Sequence, residues 1–223
     1  MNYIIGADKF VSEQIRDIKY TDKPKAWKVS DQITIGWDDI LPDPPMNDSE
    51  TTKKELAYLA KLTKSVSNAQ LDLIKLVDEE PNDLFHKTIR DLNIEFPQEI
   101  FNRSWNIIKP VIMNLKYIHN RPRPYQIADK YGLKITLRDS KTAQTPAYPS
   151  GHTSYAALSA YILAAKYPQF AEHFFDKIQS AGMARMLMGV HYPSDNEASM
   201  IITGALWEDI RYKLFPELPN FRS

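Results

Sequence analysis

Apolar residues recur at helical spacing along most of the chain after about residue 48. Leu56, Leu59 and Leu62 follow Asp48 and Ser49, either of which can cap a helix, so the pattern predicts a first helix there. We expect Pro110 to bend a longer helix or to split it in two, because proline lacks the amide donor. The further helices that the pattern predicts cover Ser67–Leu76, Asn82–Leu92, Glu99–His119, a segment from Ser150, Glu172–Val190 and Ser194–Leu214.

The first 47 residues depart from helical spacing. Val29, Ile33 and Ile35 suit short extended segments, and the prolines of residues 42–45 exclude a helix. Trp27 and Trp37 favour packing against the remainder of the chain. We therefore predict an N-terminal arm of residues 1–47 on a single helical domain of residues 48–223, with a poorly ordered leader as the alternative.

Prolines also interrupt residues 122–149, and an irregular segment of this length in a compact domain is usually functional or disordered. The fold class that the whole pattern predicts is all-α, a compact helical bundle with an irregular N-terminal arm. We expect the loops of this bundle to hold the residues that perform chemistry.

Composition narrows the possible functions. The chain has 223 residues, of which 43% are hydrophobic and 25% charged, as in an ordinary globular protein. Its 28 basic and 28 acidic residues cancel, which gives no support for binding a nucleic-acid polymer or a membrane surface. The absence of cysteine excludes disulfides and thiolate chemistry. No signal peptide or membrane span of about 20 apolar residues is visible, so we expect a soluble, cytoplasmic protein.

One basic motif lies where the predicted fourth helix ends. Lys116 is near the end of that helix, and Arg123 follows in a segment flanked by Pro122 and Pro124. Considered alone, these side chains are more simply explained as the solvated end of a helix.

A second motif is the segment Tyr148-Pro-Ser-Gly-His-Thr153. Ser150 is a good N-cap, and the amides of the first helical turn are free to bind an anion. Gly151 permits a ligand to approach the backbone closely, and His152 would face the same place. An ordinary capped helix with His152 on the surface explains this segment equally well.

A third motif contains Arg185, His191 and Asp195. Arg185 lies in an apolar stretch and needs an anionic partner if it is buried. Pro193 forces a turn, and Ser194 with Glu197 fits a capping box for the last helix. The turn can bring the carboxylate of Asp195 back to His191, where it would fix the imidazole tautomer. A structural His–Asp pair in the core is the alternative.

Together the three motifs supply what is needed to bind a tetrahedral oxyanion and to transfer it: three cationic side chains, a helix N-terminus and two histidines, one of them backed by a carboxylate. No cluster of carboxylates typical of a metal site accompanies them, so a metal is not required.

These motifs resemble the signature of the type 2 phosphatidic acid phosphatase and vanadium haloperoxidase superfamily. That signature reads K-x(6)-R-P, then P-S-G-H, then S-R-x(5)-H-x(3)-D. The chain matches its order and spacing throughout, except that Ala184 stands where the pattern has serine. The segment Ile40–Pro45 also resembles the Leu-Pro-Pro-Pro-Pro segment of soluble bacterial class A non-specific acid phosphatases, which this chain resembles most.

The resemblance implies a helical bundle of the acid phosphatase and vanadium haloperoxidase type. It also implies a metal-independent phosphatase in which His191 is the nucleophile, Asp195 orients it, and His152 protonates the leaving group. The implied phosphate-binding groups are Lys116, Arg123, Ser150, Gly151 and Arg185. The expected partner is a small phosphorylated substrate; no cofactor is expected, vanadate should inhibit, and a homo-oligomer is possible.

Three other functions remain open at this stage. A vanadate-dependent haloperoxidase would use His191 as a metal ligand, although such chains are usually much longer. A lipid (pyro)phosphate phosphatase usually has several membrane spans. A protein with the same fold could also bind anions without catalysis. We expect substrate specificity to reside in residues 125–147 and in the N-terminal arm.

Overall fold

The structure, a computed structural model, describes residues 19–20, 26–140 and 142–218, and within these ranges it contains helices and loops but no strand. The predicted all-α fold is therefore confirmed. Short 3₁₀ helices cover Pro81–Phe85, Ala128–Tyr131 and Pro168–Phe170. The α-helices are α1 (Glu50–Leu62), α2 (Asn68–Glu79), α3 (His86–Asp91), α4 (Gln98–His119), α5 (Pro124–Ile127), α6 (Gly151–Lys166), α7 (Ala171–Leu187) and α8 (Pro193–Leu214).

Helix α6 lies at the centre of the bundle because it is apolar around its whole circumference. One side, which includes Leu158 and Ile162, packs in a cluster with residues of α4 and α8. The other side, which is rich in alanine, packs in a second cluster with residues of α7 such as Phe174. The small alanine side chains allow α7 to approach closely. At the N-terminus of α6, Gly151 and His152 remain half-buried.

Several helix boundaries differ from the prediction. Helix α4 continues through Pro110 as one helix, so the proposed split is wrong. The segment predicted as one helix over residues 82–92 is a 3₁₀ turn followed by the short α3. Helix α7 ends at Leu187, before the predicted residue 190, and Gly189 has φ +76°, a left-handed conformation that suits glycine and turns the chain toward His191.

The last helix is capped differently from the prediction. It begins at Pro193, so Ser194 lies inside the helix and the predicted Ser194–Glu197 capping box is wrong. The N-cap residue is Tyr192, whose backbone N–H donates to Asp195 Oδ2 over 2.9 Å. Proline is favoured at the first helical position because it needs no hydrogen bond there. The carboxylate of Asp195 therefore has a capping role as well as a place in the site.

Residues 26–47 run over the bundle in loops and turns, and the described part of this segment contains no strand. Trp27 is fixed by Asn114 of α4, which accepts the Trp27 N–H over 2.7 Å and donates to its carbonyl over 2.8 Å. Thr34 donates its N–H and its hydroxyl to Asp209 of α8, over 2.6 and 2.7 Å. The domain boundary at residue 47 stays a prediction. None of the described helices has the length and apolarity needed to cross a membrane.

Candidate active site

A cavity of 390 Å³ lies between the C-terminal half of α4, the N-terminus of α6 and the turn before α8. It collects side chains from all three sequence motifs, although they are separated by up to 75 residues. The residues predicted for the site that line this cavity are Lys116, Arg123, Gly151, His152, Arg185 and His191. Asp195 lies behind His191, and Ser150 caps α6 next to the cavity.

His191 is buried, and both of its ring nitrogens have partners. Nδ1 is 3.0 Å from Asp195 Oδ2, and Nε2 is 2.9 Å from Arg123 Nη1. A guanidinium can only donate, so Nε2 must accept with its lone pair and Nδ1 must carry the hydrogen. Burial, followed by the charges of Arg123 and Lys116, holds the pKa of His191 well below its usual value. The ring is thus neutral, with its lone pair directed toward Arg123.

Asp195 is fully buried, and both carboxylate oxygens are occupied. Oδ2 accepts from His191 and from the backbone N–H of Tyr192. Oδ1 accepts from Arg121 Nη1 over 2.7 Å. Because several donors satisfy this carboxylate, it is held in one position. Asp195 can therefore keep His191 in a single orientation and tautomer.

Arg121 extends this chain of contacts away from the cavity. Its Nη2 donates to Glu55 Oε2 over 3.0 Å, and its guanidinium lies 3.7 Å from the ring centre of Tyr192. The second oxygen of Glu55 accepts the backbone N–H of Ser194 over 2.7 Å. Glu55 and Asp195 together compensate the buried charge of Arg121. A continuous row of hydrogen bonds thus runs from Glu55 on α1 to His191.

Lys116 and Arg123 carry buried positive charge that no carboxylate neutralises among the ion pairs of the described residues. Lys116 Nζ donates to the carbonyls of Pro146 and Ala147, over 2.8 and 3.3 Å. Arg123 donates to the carbonyls of Thr145 and Val190. Burial and repulsion from Arg123 hold the pKa of Lys116 well below its usual value, while burial and repulsion from Arg185 lower the pKa of Arg123 to about 10. An anion bound between them would relieve this repulsion.

Arg185 has the anionic partner that its apolar surroundings predicted. Its Nη1 donates to Asp78 Oδ1 over 2.5 Å, and the same oxygen accepts from the hydroxyls of Ser140 and Thr142. Burial opposes the ionisation of Asp78, but the hydrogen bonds from Ser140 and Arg185 outweigh it and keep its pKa below the usual value. Arg185 Nε has no hydrogen-bond partner among the described residues. Arg185 thus lines the cavity with its charge already balanced by Asp78.

The N-terminus of α6 opens onto the cavity at Gly151 and His152. Ser150 is the N-cap, as predicted, and its hydroxyl accepts from Thr153 N over 3.4 Å and from the Thr153 hydroxyl over 2.9 Å. A side chain at Gly151 would come within 3.8 Å of Lys116 Cε and would narrow the anion site. The helix therefore directs first-turn amides and the positive end of its dipole at the place between Lys116 and Arg123.

His152 differs electrostatically from His191. Burial, followed by the charge of Arg185, lowers the pKa of His152 to about 3. The carboxylate of Asp78 raises the pKa of His152, but it only partly offsets the opposite effect of the cations. His152 is thus neutral near pH 7 when the cavity holds no anion, and a bound anion would raise its pKa.

Sequence patterns indicate little about Glu55, Asp78 and Arg121, although Asp78 and Arg121 contact predicted site residues and Glu55 contacts Arg121. Arg121 stands two positions before Arg123 between asparagine and proline, and an arginine so close to the motif was a usable signal. Glu55 and Asp78 lie on amphipathic helices where a carboxylate normally faces water. Only their burial in the folded chain distinguishes them.

Ala184 and two tyrosines lie near the predicted site residues along the chain. Ala184 is fully buried in the apolar cluster between α6 and α7, so no side-chain oxygen replaces the serine of the family pattern at that position. Tyr131 and Tyr148 direct their hydroxyls to the carbonyls of Asn47 and Pro42 and do not line the cavity. Among the described residues, no group of three or more His, Asp or Glu side chains could hold a metal ion.

Known proteins resemble this chain over the same region. Residues 106–215, about half of the chain, match the sequence model of the PAP2 superfamily. The non-specific acid phosphatase of Salmonella typhi is 34% identical over 108 residues, which are 44% of this chain and 42% of that protein. Its counterpart from Salmonella typhimurium is 26% identical over 108 residues, with the same coverage. The one from Providencia stuartii is 29% identical over 89 residues, 39% of this chain and 34% of that protein. The matched stretch thus spans less than half the length of each relative.

Proposed function

We propose that this chain, which belongs to the PAP2 superfamily through residues 106–215, is a phosphatase. It would hydrolyse phosphate monoesters through a phosphohistidine intermediate. The observation that supports this proposal most concerns the cavity. There the Nε2 atom of the neutral His191 ring faces two cations, and neither cation has a carboxylate partner among the ion pairs of the described residues. The curated relatives are named non-specific acid phosphatases, which agrees with this class of reaction.

In the proposed first step, the phosphate group of the substrate binds between Lys116, Arg123 and the N-terminus of α6. The Arg123 N–H that now contacts His191 Nε2 would move to a phosphate oxygen and release the lone pair. Nε2 would then attack phosphorus in line, so that the P–N bond forms while the bond to the ester oxygen breaks. Positioning and charge stabilisation contribute most of the rate acceleration in such transfers.

His152 would donate its proton to the leaving oxygen in this step. The negative charge of the bound phosphate opposes the cations that now depress the pKa of His152, and this would allow it to be protonated when the substrate arrives. In the second step, His152 would take a proton from water as the water oxygen attacks phosphorus and the P–N bond breaks. Inorganic phosphate and neutral His191 would result.

Asp195, Arg121 and Glu55 would act through His191. The imidazole becomes positively charged when Nε2 bonds to phosphorus, and the carboxylate of Asp195 at Nδ1 would stabilise that charge. Arg121 and Glu55 hold the carboxylate in place. None of these steps uses a metal, and we propose that none is needed.

The test is hydrolysis of p-nitrophenyl phosphate by the purified chain, in the presence and absence of a chelator. We expect turnover in both conditions, and we expect a phosphorylated protein that is stable in base and labile in acid after rapid quenching. Vanadate should inhibit, because it can mimic the trigonal-bipyramidal state. An enzyme that turns over without any trapped phosphohistidine, or that loses activity with the chelator, would contradict the proposed mechanism.

The second candidate function is a vanadate-dependent haloperoxidase, because the same cavity could hold vanadate with His191 Nε2 as its ligand. Bromide oxidation with peroxide after vanadate loading would identify it. We expect no such activity at a rate comparable with phosphate release. Phosphate release from a lipid pyrophosphate in detergent is the corresponding test for a lipid phosphatase.

A further inference from the structure

The cavity continues beyond its cationic end along one face of α4. Trp105, Lys109, Ile112, Met113 and Lys116 all line it, and their spacing of four, three, one and three residues places them on one side of the helix. At 1.5 Å per residue, Trp105 lies about 16 Å along the axis from Lys116. A phosphate group held by Lys116 therefore fills only one end of the cavity.

The far end has an aromatic wall that neighbouring rings hold in place. Tyr155 lies one turn after His152 on α6, and its ring meets that of Trp105 edge to face, with centres 5.2 Å apart at 80°. The buried ring of Phe101 supports both, 4.6 Å from Tyr155 and 6.4 Å from Trp105. Such pairs favour a fixed geometry. The wall is thus formed before any ligand binds.

The N-terminal arm adds a third ring, that of Trp27, to the lining of the cavity. The two hydrogen bonds between Asn114 and the backbone of Trp27 fix the arm at that point on α4. Trp27, Trp105 and Tyr155 are each only half-buried, and all three line the cavity. Their apolar surface would lose contact with water if a flat apolar group entered between them.

We propose that the substrate is a phosphate monoester whose alcohol carries an aromatic ring, and that Trp27, Trp105 and Tyr155 bind this ring. The inference rests on the proposed function, because it takes the cationic end as the phosphate site. His152 faces the leaving oxygen in that mechanism, and Tyr155 follows it by one helical turn, so the alcohol is directed toward the aromatic wall. A small polar ester such as glycerol phosphate leaves the wall uncovered.

The test compares 3-phenylpropyl phosphate with n-propyl phosphate. Both release a primary alkoxide of similar basicity, so the ratio of their kcat/KM values reports the binding of the ring. We expect this ratio to be tenfold or more. We also expect 3-cyclohexylpropyl phosphate, which is apolar but not flat, to react several-fold more slowly than the phenyl ester. Equal kcat/KM values for the phenylpropyl and propyl esters, or for the phenyl and cyclohexyl esters, would overturn the proposal.

A second pair of substrates separates two sources of the ring. Adenosine 5′-monophosphate and ribose 5-phosphate differ by the nucleobase alone. A tenfold preference for the nucleotide would identify a nucleobase as the ring, whereas a preference confined to the phenylpropyl pair would identify an aromatic alcohol. The absence of preference in both pairs would reject aromatic recognition.

Substitutions in the cavity show which residues produce the preference for the phenylpropyl ester. Trp105→Leu and Trp27→Leu should each lower the phenylpropyl-to-propyl ratio at least fivefold. Trp37→Leu is the matched control, since Trp37 packs on the core without lining the cavity, and its ratio should equal that of the unaltered chain. The ratio cancels any general loss of folded enzyme. Unchanged ratios in both cavity variants would overturn the assignment of the wall.

The proposed function and this inference can fail separately. If neither propyl nor phenylpropyl phosphate is hydrolysed, the phosphatase proposal fails. The corresponding phosphonates, which cannot be hydrolysed at the P–C bond, then still test the ring site through calorimetric Kd values. We expect at least tenfold tighter binding of the phenyl compound, and equal Kd values would overturn the ring site independently of catalysis.

Discussion

The two histidines of the cavity have the same side chain and lie within one cluster of cations, yet their surroundings differ. His191 is buried with both ring nitrogens engaged, one by Asp195 and the other by Arg123. Among the described residues, His152 has no comparable hydrogen bond to a carboxylate. Its pKa depends mainly on burial and on the charge of Arg185. One imidazole is fixed in orientation and tautomer, whereas the protonation of the other depends on what the cavity holds.

This difference fits two distinct roles in the proposed reaction. A nucleophile benefits from a fixed lone pair and from a carboxylate that stabilises the cation formed on attack. A general acid and base must instead gain and lose a proton within one cycle, which requires a pKa that responds to the ligand. The surroundings of each residue therefore suit one role and not the other. Four predictions test this contrast, from the largest expected effect to the smallest.

Replacing the fixed histidine should have the largest effect. We expect His191→Ala to lower kcat by at least about 10⁴-fold and to abolish phosphoprotein trapping, because the lone pair proposed to attack phosphorus is lost. Steady-state assays and quenched-flow labelling measure this. The matched control is His86→Ala, since His86 is exposed and pairs only with Asp83. Substantial activity in the His191 variant would reject it as the nucleophile.

Replacing the second histidine should have an effect that depends on the leaving group. For alkyl phosphates, His152→Asn should lower kcat/KM by about 10²- to 10⁴-fold, because the alkoxide departs without a proton. For p-nitrophenyl phosphate the loss should be much smaller, because that leaving group needs no proton. A series of esters of increasing alcohol pKa measures the steepness of this dependence. An equal loss for all esters would contradict the role of general acid.

Replacing Arg121 should affect only His191, the histidine that is held in one orientation. Arg121→Met removes the partner of Asp195 Oδ1 and should lower kcat by about 10- to 100-fold with little change in KM. Arg121→Lys should recover part of this loss. Nitrogen NMR of His191 should show a mixed tautomer in the Met variant, a change that mere loss of stability would not produce.

The control for this variant is Arg138→Met. Arg138 is half-buried and also bridges segments, through the carbonyls of Leu187 and Thr63, but it lies outside the cavity. Its loss should lower stability while kcat of the folded enzyme is kept. If both variants lower kcat equally, Arg121 contributes to folding and not to the orientation of Asp195.

The unusual pKa of His152 should be visible in the dependence of stability on pH. Its folded pKa of about 3 lies below the ordinary 6.5, so the unfolded chain binds the proton more readily between these values. The stabilising contribution is complete above pH 6.5 and is lost as the pH falls toward 3. His152→Asn should reduce the slope of unfolding free energy against pH in this window by up to about 1.4 kcal/mol per unit. Urea titrations at several pH values measure this, and an unchanged slope would contradict the depressed pKa.

Local patterns in the sequence were enough to predict most of the helices and the residues that meet in the cavity. Helical spacing of leucines and isoleucines, with serine caps at Ser49, Ser67 and Ser150, was sufficient because capping and amphipathicity are local properties. The three motifs identified the residues that line the anion site. The sequence erred where two local preferences competed, as at the start of α8, where Tyr192 and Asp195 form the cap in place of Ser194 and Glu197.

Which distant side chains contact the predicted residues depends on tertiary packing. Glu55, Asp78 and Arg121 contact Ser194, Arg185 and Asp195 because helices far apart in the sequence pack together, and no local pattern encodes such a pairing. The aromatic wall likewise needs the arm, α4 and α6 to meet, since Trp27 and Tyr155 are 128 positions apart. Burial then changes the chemistry of these groups, because it removes water from charges whose pKa values an isolated sequence cannot reveal.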